Sequence, residues 1–246
     1  MSRPLQPERA QGVFSTLLVV AGVPQEFDAH LARMHASLRE LYDLALPPAA
    51  VDEALALARP LALARLRVAV APGAGGEAVV TLSATAIERE IVLPGRERAL
   101  ELRSVSVADW QGAHKWVDRR LLESLDAAVA PAGALLLDAA DGAVLETTRA
   151  NIFAVGADGV LRTPPADGAI LPGINRALLL SLARELGFDA REERLALADL
   201  AGARELFTSG SVRGVEPVGA LDGTALDGPG EVAVALAGAL GRRWFG

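Results

Sequence analysis

The chain has 246 residues, a net charge of −7, 51% hydrophobic residues and 22% charged ones, enough apolar material for one large or two small cores. The negative balance excludes the basic surface that nucleic-acid binding needs, and no apolar run approaches the length of a membrane span. With no cysteine there is neither a disulfide framework nor a thiol nucleophile, and the first residues lack the apolar core of a signal peptide, so a cytoplasmic protein is expected.

Residues 12–20 read as a buried strand, turned at 21–24. Asp28 is placed to cap a helix in which Leu31, Met34, Leu38, Leu41 and Leu44 recur at helical spacing before Pro47 and Pro48. A second helix is expected over 51–58. Strands follow at 64–70 and 78–83, joined by a loop with Gly73, Gly75 and Gly76, and another at 99–107. The glycine loop is not a phosphate loop, because a strand rather than a helix follows it and it lacks the required lysine. Strands and two helices in this arrangement predict an α+β layer domain over 1–107. Arg33 is either a solvated helical arginine or an anion clamp. The three histidines make no metal set: His30 and His35 lie on different helix faces and His114 stands alone.

Residues 108–113 break the pattern and are the expected linker to a second domain over 114–246. Just beyond stands Lys115, the only lysine among 24 basic residues. Arginine replaces lysine at most solvated or paired positions but cannot form a Schiff base, so the retained amine is a candidate for covalent chemistry. Compositional drift is the alternative. A short amphipathic helix with Leu121, Leu122 and Leu125 follows, then a strand at 134–138, an Asp-Gly turn at 141–142, an extended stretch at 144–155 and a strand at 160–163. The helix opening at Pro172 and Gly173 runs to Leu186, with Gly187 as its stop, and its free N–H groups suit an anion. Residues 204–214 pass from a strand into a turn rich in small residues, a second anion-binding candidate. No hydrolase elbow is present. A last helix over 231–243 reads as packing.

Lys115, then Glu146 before Asn151-Ile-Phe153, then Leu171-Pro-Gly-Ile174 at a helix start and Ser209-Gly-Ser211 in a turn, resemble in that order the class IV, fold-type IV pyridoxal-phosphate enzymes. The likeness runs from Gly12 to Val218. It implies a small N-terminal two-layer α/β sandwich and a larger C-terminal α/β pseudo-barrel, with pyridoxal 5'-phosphate between them and a homodimer as the working unit. By the same resemblance Lys115 holds the cofactor as a Schiff base and carries protons. Glu146 faces the pyridine nitrogen. Arg33, the N–H groups of Ile174 and Asn175, and Gly210 with Ser211 hold the phosphate, and Asn151 braces the strand bearing Glu146. Asn175 and Ser211 stand where the family more often has threonine, Ala150 where serine is frequent, and Ser15 and Leu18 where glutamate and arginine are usual.

Within the family, Arg67 followed by Gly73-Ala-Gly75-Gly76 and Lys115-Trp-Val-Asp118-Arg119 are similar to 4-amino-4-deoxychorismate lyases. So is Ser211-Val-Arg213-Gly214, in which Arg213 is a candidate for a substrate carboxylate or for a structural ion pair. The expectation is therefore a lyase giving 4-aminobenzoate and pyruvate in folate synthesis. The alternatives are an aminotransferase of branched-chain or D-amino acids with 2-oxoglutarate and, behind it, a non-catalytic cofactor-binding relative.

Overall fold

The computed structural model describes residues 6–246. Two sheets, each with helices against one face, make up the fold. β1 (Val13–Val20) pairs antiparallel with β2 (Val23–Pro24) on one side and β3 (Leu63–Pro72) on the other, and β3 pairs with β4 (Ala78–Ala86). Strand periodicity divides the faces. Leu17, Val19, Leu66 and Val68 point inward against Met34 and Leu38 of α1 (Phe27–Tyr42) and against Ala50, Ala54 and Ala58 of α2 (Pro48–Ala58). The opposite face carries Thr16, Arg67 and Ser83 in one cross-strand row and Leu18, Arg65 and Thr85 in the next. Gly73 N–H donates to the Glu77 carbonyl at 2.8 Å, so the glycine loop is a tight hairpin connection.

Two local expectations change. Helix α1 starts at Phe27 from Glu26, which has φ 50 and makes no side-chain cap, so Asp28 lies inside the first turn, where its charge favours the helix dipole. Helix α2 begins earlier than residue 51, at Pro48, whose fixed φ and missing N–H suit a first helical position.

The second sheet has nine strands. Along its path run β10 (Ala190–Glu192), β9 (Leu161–Thr163), β8 (Asn151–Val155), β11 (Glu205–Gly210), β12 (Gly214–Leu221), β5 (Leu100–Val107), β6 (Gly133–Asp138) and β7 (Val144–Thr147), with β13 (Thr224–Ala225) on β12. β7 and β8 also come together, curling the sheet toward a barrel. Inside lie Leu102, Leu135, Ile152, Leu206 and Val218; outside, Phe153 and Phe207 stack under α4 (Ile174–Glu185) and α6 (Glu231–Phe245). Helices α3 (Arg120–Val129) and α5 (Leu197–Ala201) complete the fold, the latter too short to show a period in sequence.

β5 corrects the expected division of the chain. It pairs in parallel with β6 and β12, so the break between sheets falls between Ala86 and Leu100, ahead of the boundary expected at 107. Chain order alone could not reveal a strand that joins partners lying later in sequence.

Candidate active site

Lys115 sits in the irregular segment between β5 and α3, and that segment is stitched to β1. Phe14 N–H donates to the Lys115 carbonyl at 2.8 Å, and Val117 N–H to the Gly12 carbonyl at 3.0 Å. Trp116 is buried in the first core and donates through Nε1 to Gln111 O. The side chain is thereby aimed over the ring of Phe14, with Nζ 5.1 Å from its centroid. Lys115 keeps some surface on the cavity, yet loss of water is the largest influence on its amine. With Arg33 and Arg119 also opposing a further positive charge, and Glu146 favouring it, the pKa falls from 10.5 to about 7. An amine so placed is partly unprotonated at neutral pH, as a nucleophile or proton carrier requires.

Glu146 occupies β7, in which every residue is buried. Its carboxylate accepts from Leu171 N–H at 3.2 Å and from Asn151 Nδ2 at 3.1 Å. Burial raises its pKa from 4.5 to about 7 against the pull of the Leu171 hydrogen bond and of Lys115. The Asn151 amide also donates to Leu171 O at 3.0 Å, fixing the carboxylate between strand and loop. A Cβ at Gly173 would lie 1.9 Å from Asn151 Oδ1, so any side chain there would displace the amide that holds Glu146.

Arg33 reaches in from α1. Nη2 donates to Ser15 Oγ at 3.0 Å and Nη1 to Pro172 O at 3.3 Å; burial lowers its pKa to about 10, which leaves it a cation at neutral pH. At the start of α4, Asn175 Nδ2 donates to Gly210 O at 2.8 Å, joining the helix entrance bearing Ile174 to the turn bearing Gly210 and Ser211. Gly214 closes that turn at φ 71, and a Cβ there would meet Leu93, Trp244 and Leu240 at 2.4–3.2 Å, so α6 is packed directly behind it. The last helix thus backs the turn while Arg243 pairs at 2.6 Å with Glu26 at the start of α1.

Lys115, Glu146, Arg33 and the two turns all line one cavity of about 960 Å³. Arg213 borders it too, but its guanidinium pairs with the buried carboxylate of Glu216 at 2.5 Å, the structural alternative of its two readings. Other residues at the wall have no individual role assigned from the sequence, although Arg67, Arg119 and Ser209 belong to the motifs named above. Arg67 stacks over Phe14 with Cζ 3.6 Å from the ring centroid; burial and Arg65 lower its pKa, and no carboxylate among the described residues counters them. Arg119 donates to Thr148 O at 2.5 Å. Thr208 Oγ1 and Ser209 Oγ are buried without a hydrogen-bond partner among the described residues. The signal for Arg67 was available as Arg65 and Arg67 alternating with Ala64, Leu66 and Val68 on a strand. Among the described residues no group of acidic and histidine side chains could hold a metal, and no helix is long and apolar enough to cross a membrane.

The family model for amino-transferase class IV matches residues 12–221. A branched-chain-amino-acid aminotransferase of Salmonella typhimurium is 42% identical over 83 residues, 34% of this chain, and the match covers only 26% of that relative's length. The 4-amino-4-deoxychorismate lyase of Pseudomonas aeruginosa superposes with a TM-score of 0.80 at 26% identity, covering 95% of this chain and 91% of that one. A hypothetical aminotransferase from Mycobacterium tuberculosis in its PLP-bound form gives a TM-score of 0.85 at 21% identity, over 100% and 94% of the two chains.

Proposed function

Since the chain belongs to the class IV aminotransferase family, whose cofactor is pyridoxal phosphate, we propose that it acts through Lys115 as a 4-amino-4-deoxychorismate lyase releasing 4-aminobenzoate and pyruvate. One observation carries the catalytic part of this reading. A lysine with its pKa near 7 and a buried, hydrogen-bonded glutamate line the same cavity, which also has an arginine and a helix entrance. These residues fit the cofactor. Lys115 Nζ would hold its aldehyde carbon, Glu146 its ring nitrogen, and Arg33 with the N–H groups of Ile174, Asn175 and Ser211 its phosphate. The unpartnered hydroxyls of Thr208 and Ser209 are further donors to a bound polar molecule.

When bound, the cofactor withdraws electrons from the substrate carbon that carries nitrogen. The chain supplies the rest. Lys115 Nζ, near neutral, is matched to take a proton from that carbon and return it elsewhere. Glu146, held by Leu171 and Asn151, would face the ring nitrogen, and a protonated nitrogen there would favour its charged form. Arg67, on the outward face of β3, has no carboxylate partner among the described residues and is a cation for a substrate carboxylate. The lyase is preferred on the motifs around Arg67, Lys115 and Ser211, and its step is an easy one, because departure of pyruvate leaves an aromatic ring.

The 42% identity to a branched-chain aminotransferase supports a second reading, amino transfer to 2-oxoglutarate. Supplying aminodeoxychorismate without any keto acid separates the two. Aminobenzoate and pyruvate in equal amounts are expected. Amino-group transfer from amino acids to 2-oxoglutarate, with no aminobenzoate, would establish the second reading. The proposal includes a homodimer, for which the exposed β4 face bearing Val79, Ser83 and Thr85 offers a surface beside the cavity.

A further inference from the structure

We propose that Ser15 and His30 are positioning residues that aim the Arg33 guanidinium into the cavity through a directed chain of hydrogen bonds, Arg33 to Ser15 to His30. The inference rests on the assignment of Arg33 to the cofactor phosphate.

Ser15 lies on the inward face of β1, opposite Val68, and is 2% exposed. His30 stands one turn before Arg33 on α1 and is 1% exposed, so the two side chains leave the helix on the same side. Ser15 Oγ receives Arg33 Nη2 at 3.0 Å and lies 2.7 Å from His30 Nδ1. Arginine can only donate, so the hydroxyl must accept from it. The hydroxyl proton then needs an acceptor of its own, and His30 Nδ1 is the one within reach among the described residues. Were Nδ1 itself protonated, Ser15 would accept twice and its proton would be left unpaired in a dry site. Burial, joined by the positive neighbours Arg33 and Lys115, keeps the imidazole neutral. The ring therefore carries its proton on Nε2.

This arrangement fixes one edge of the guanidinium to β1, while Nη1 is tied to Pro172 O in the loop that enters α4. With both edges held, the side chain cannot swing away, and its remaining N–H groups are left for an anion in the cavity that it lines. Orientation, rather than added charge, is what Ser15 and His30 contribute.

The test titrates ligand-free protein with pyridoxal 5'-phosphate and, separately, with pyridoxal, which lacks the phosphate, following visible absorbance. Ser15→Ala is expected to weaken the phosphorylated ligand about tenfold, the scale of one hydrogen bond to a charged group, and to leave pyridoxal unchanged. Equal weakening of both, as a purely structural role predicts, or no weakening of the phosphorylated ligand, overturns the proposal. Wild-type protein that does not prefer the phosphorylated ligand would instead sink the assignment of Arg33 to phosphate. A measurement that depends on no variant is the ¹⁵N NMR spectrum of His30 in the wild-type protein. A neutral ring protonated at Nε2 is expected; a proton on Nδ1 rules out the chain.

Discussion

Glu146 and the outward face of β3 border the same cavity, yet their surroundings are opposites. Glu146 is buried, accepts two hydrogen bonds and sits on a strand with no exposed residue. Elsewhere on the cavity wall, Arg67 rests on a phenylalanine ring with no carboxylate to meet it among the described residues, beside Thr16 and Ser83. The Glu146 carboxylate is held without a ligand; the Arg67 guanidinium has unspent hydrogen-bonding capacity. Groups that must keep one position through every turnover belong on the first kind of wall. Groups that read a substrate, which comes and goes, belong on the second.

Removing the amine, which reaches in between the two walls over Phe14, is the most severe test. Lys115→Ala should abolish the visible absorbance of the loaded protein, a band that borohydride should also remove from wild type, and lower turnover at least ~10³-fold. Glu146→Gln keeps the shape and removes the charge. The absorbance band should remain while kcat drops on the order of 10²-fold. Arg67→Ala should act on the other wall alone, raising KM for an acidic substrate about tenfold with kcat nearly constant. A comparable fall in kcat would erase the distinction between walls.

A smaller effect concerns pH. Because the folded pKa of Lys115 is depressed from 10.5 to about 7, the unfolded chain binds more protons between these values. The group's penalty is therefore full below pH 7 and fades as pH rises to 10.5. Glu146, raised from 4.5 to about 7, runs the other way: its penalty is absent below 4.5 and full above 7. Ligand-free Lys115→Met should thus melt a few degrees, roughly 2–5 °C, above wild type at pH 6. That advantage should shrink toward pH 10; a constant difference would show that the amine is not desolvated.

Lys115 was legible from composition, because a chain that otherwise uses arginine exposes its one lysine. Glu146 was not legible by itself. Its neighbours Leu145, Thr147 and Thr148 give no hint that a carboxylate is buried among them, and only the order of motifs pointed there. Asn151 was read as a brace, and its amide bonds Glu146 directly. Periodicity revealed α1, the hairpin of β3 and β4, and α4 with its stop at Gly187, whose φ is 86. Sheet membership of β5 needed the pairing itself. Arg67 opens a motif in sequence, but its side chain carries no signal of its own there, since outward polar residues on a strand are ordinary until a cavity adjoins them. Ser15 stood out only as a departure from the family, while its bond to Arg33 depends on a helix reached later in the chain.

The stitching of Lys115 to β1 has a mechanical consequence. Arg33 and Lys115 move with the first sheet, whereas Glu146, Ile174 and Ser211 belong to the second. A molecule gripped by all five is a rivet through both halves of the protein. Loading should therefore slow amide exchange in β1 and β11 together and raise the melting temperature of both halves.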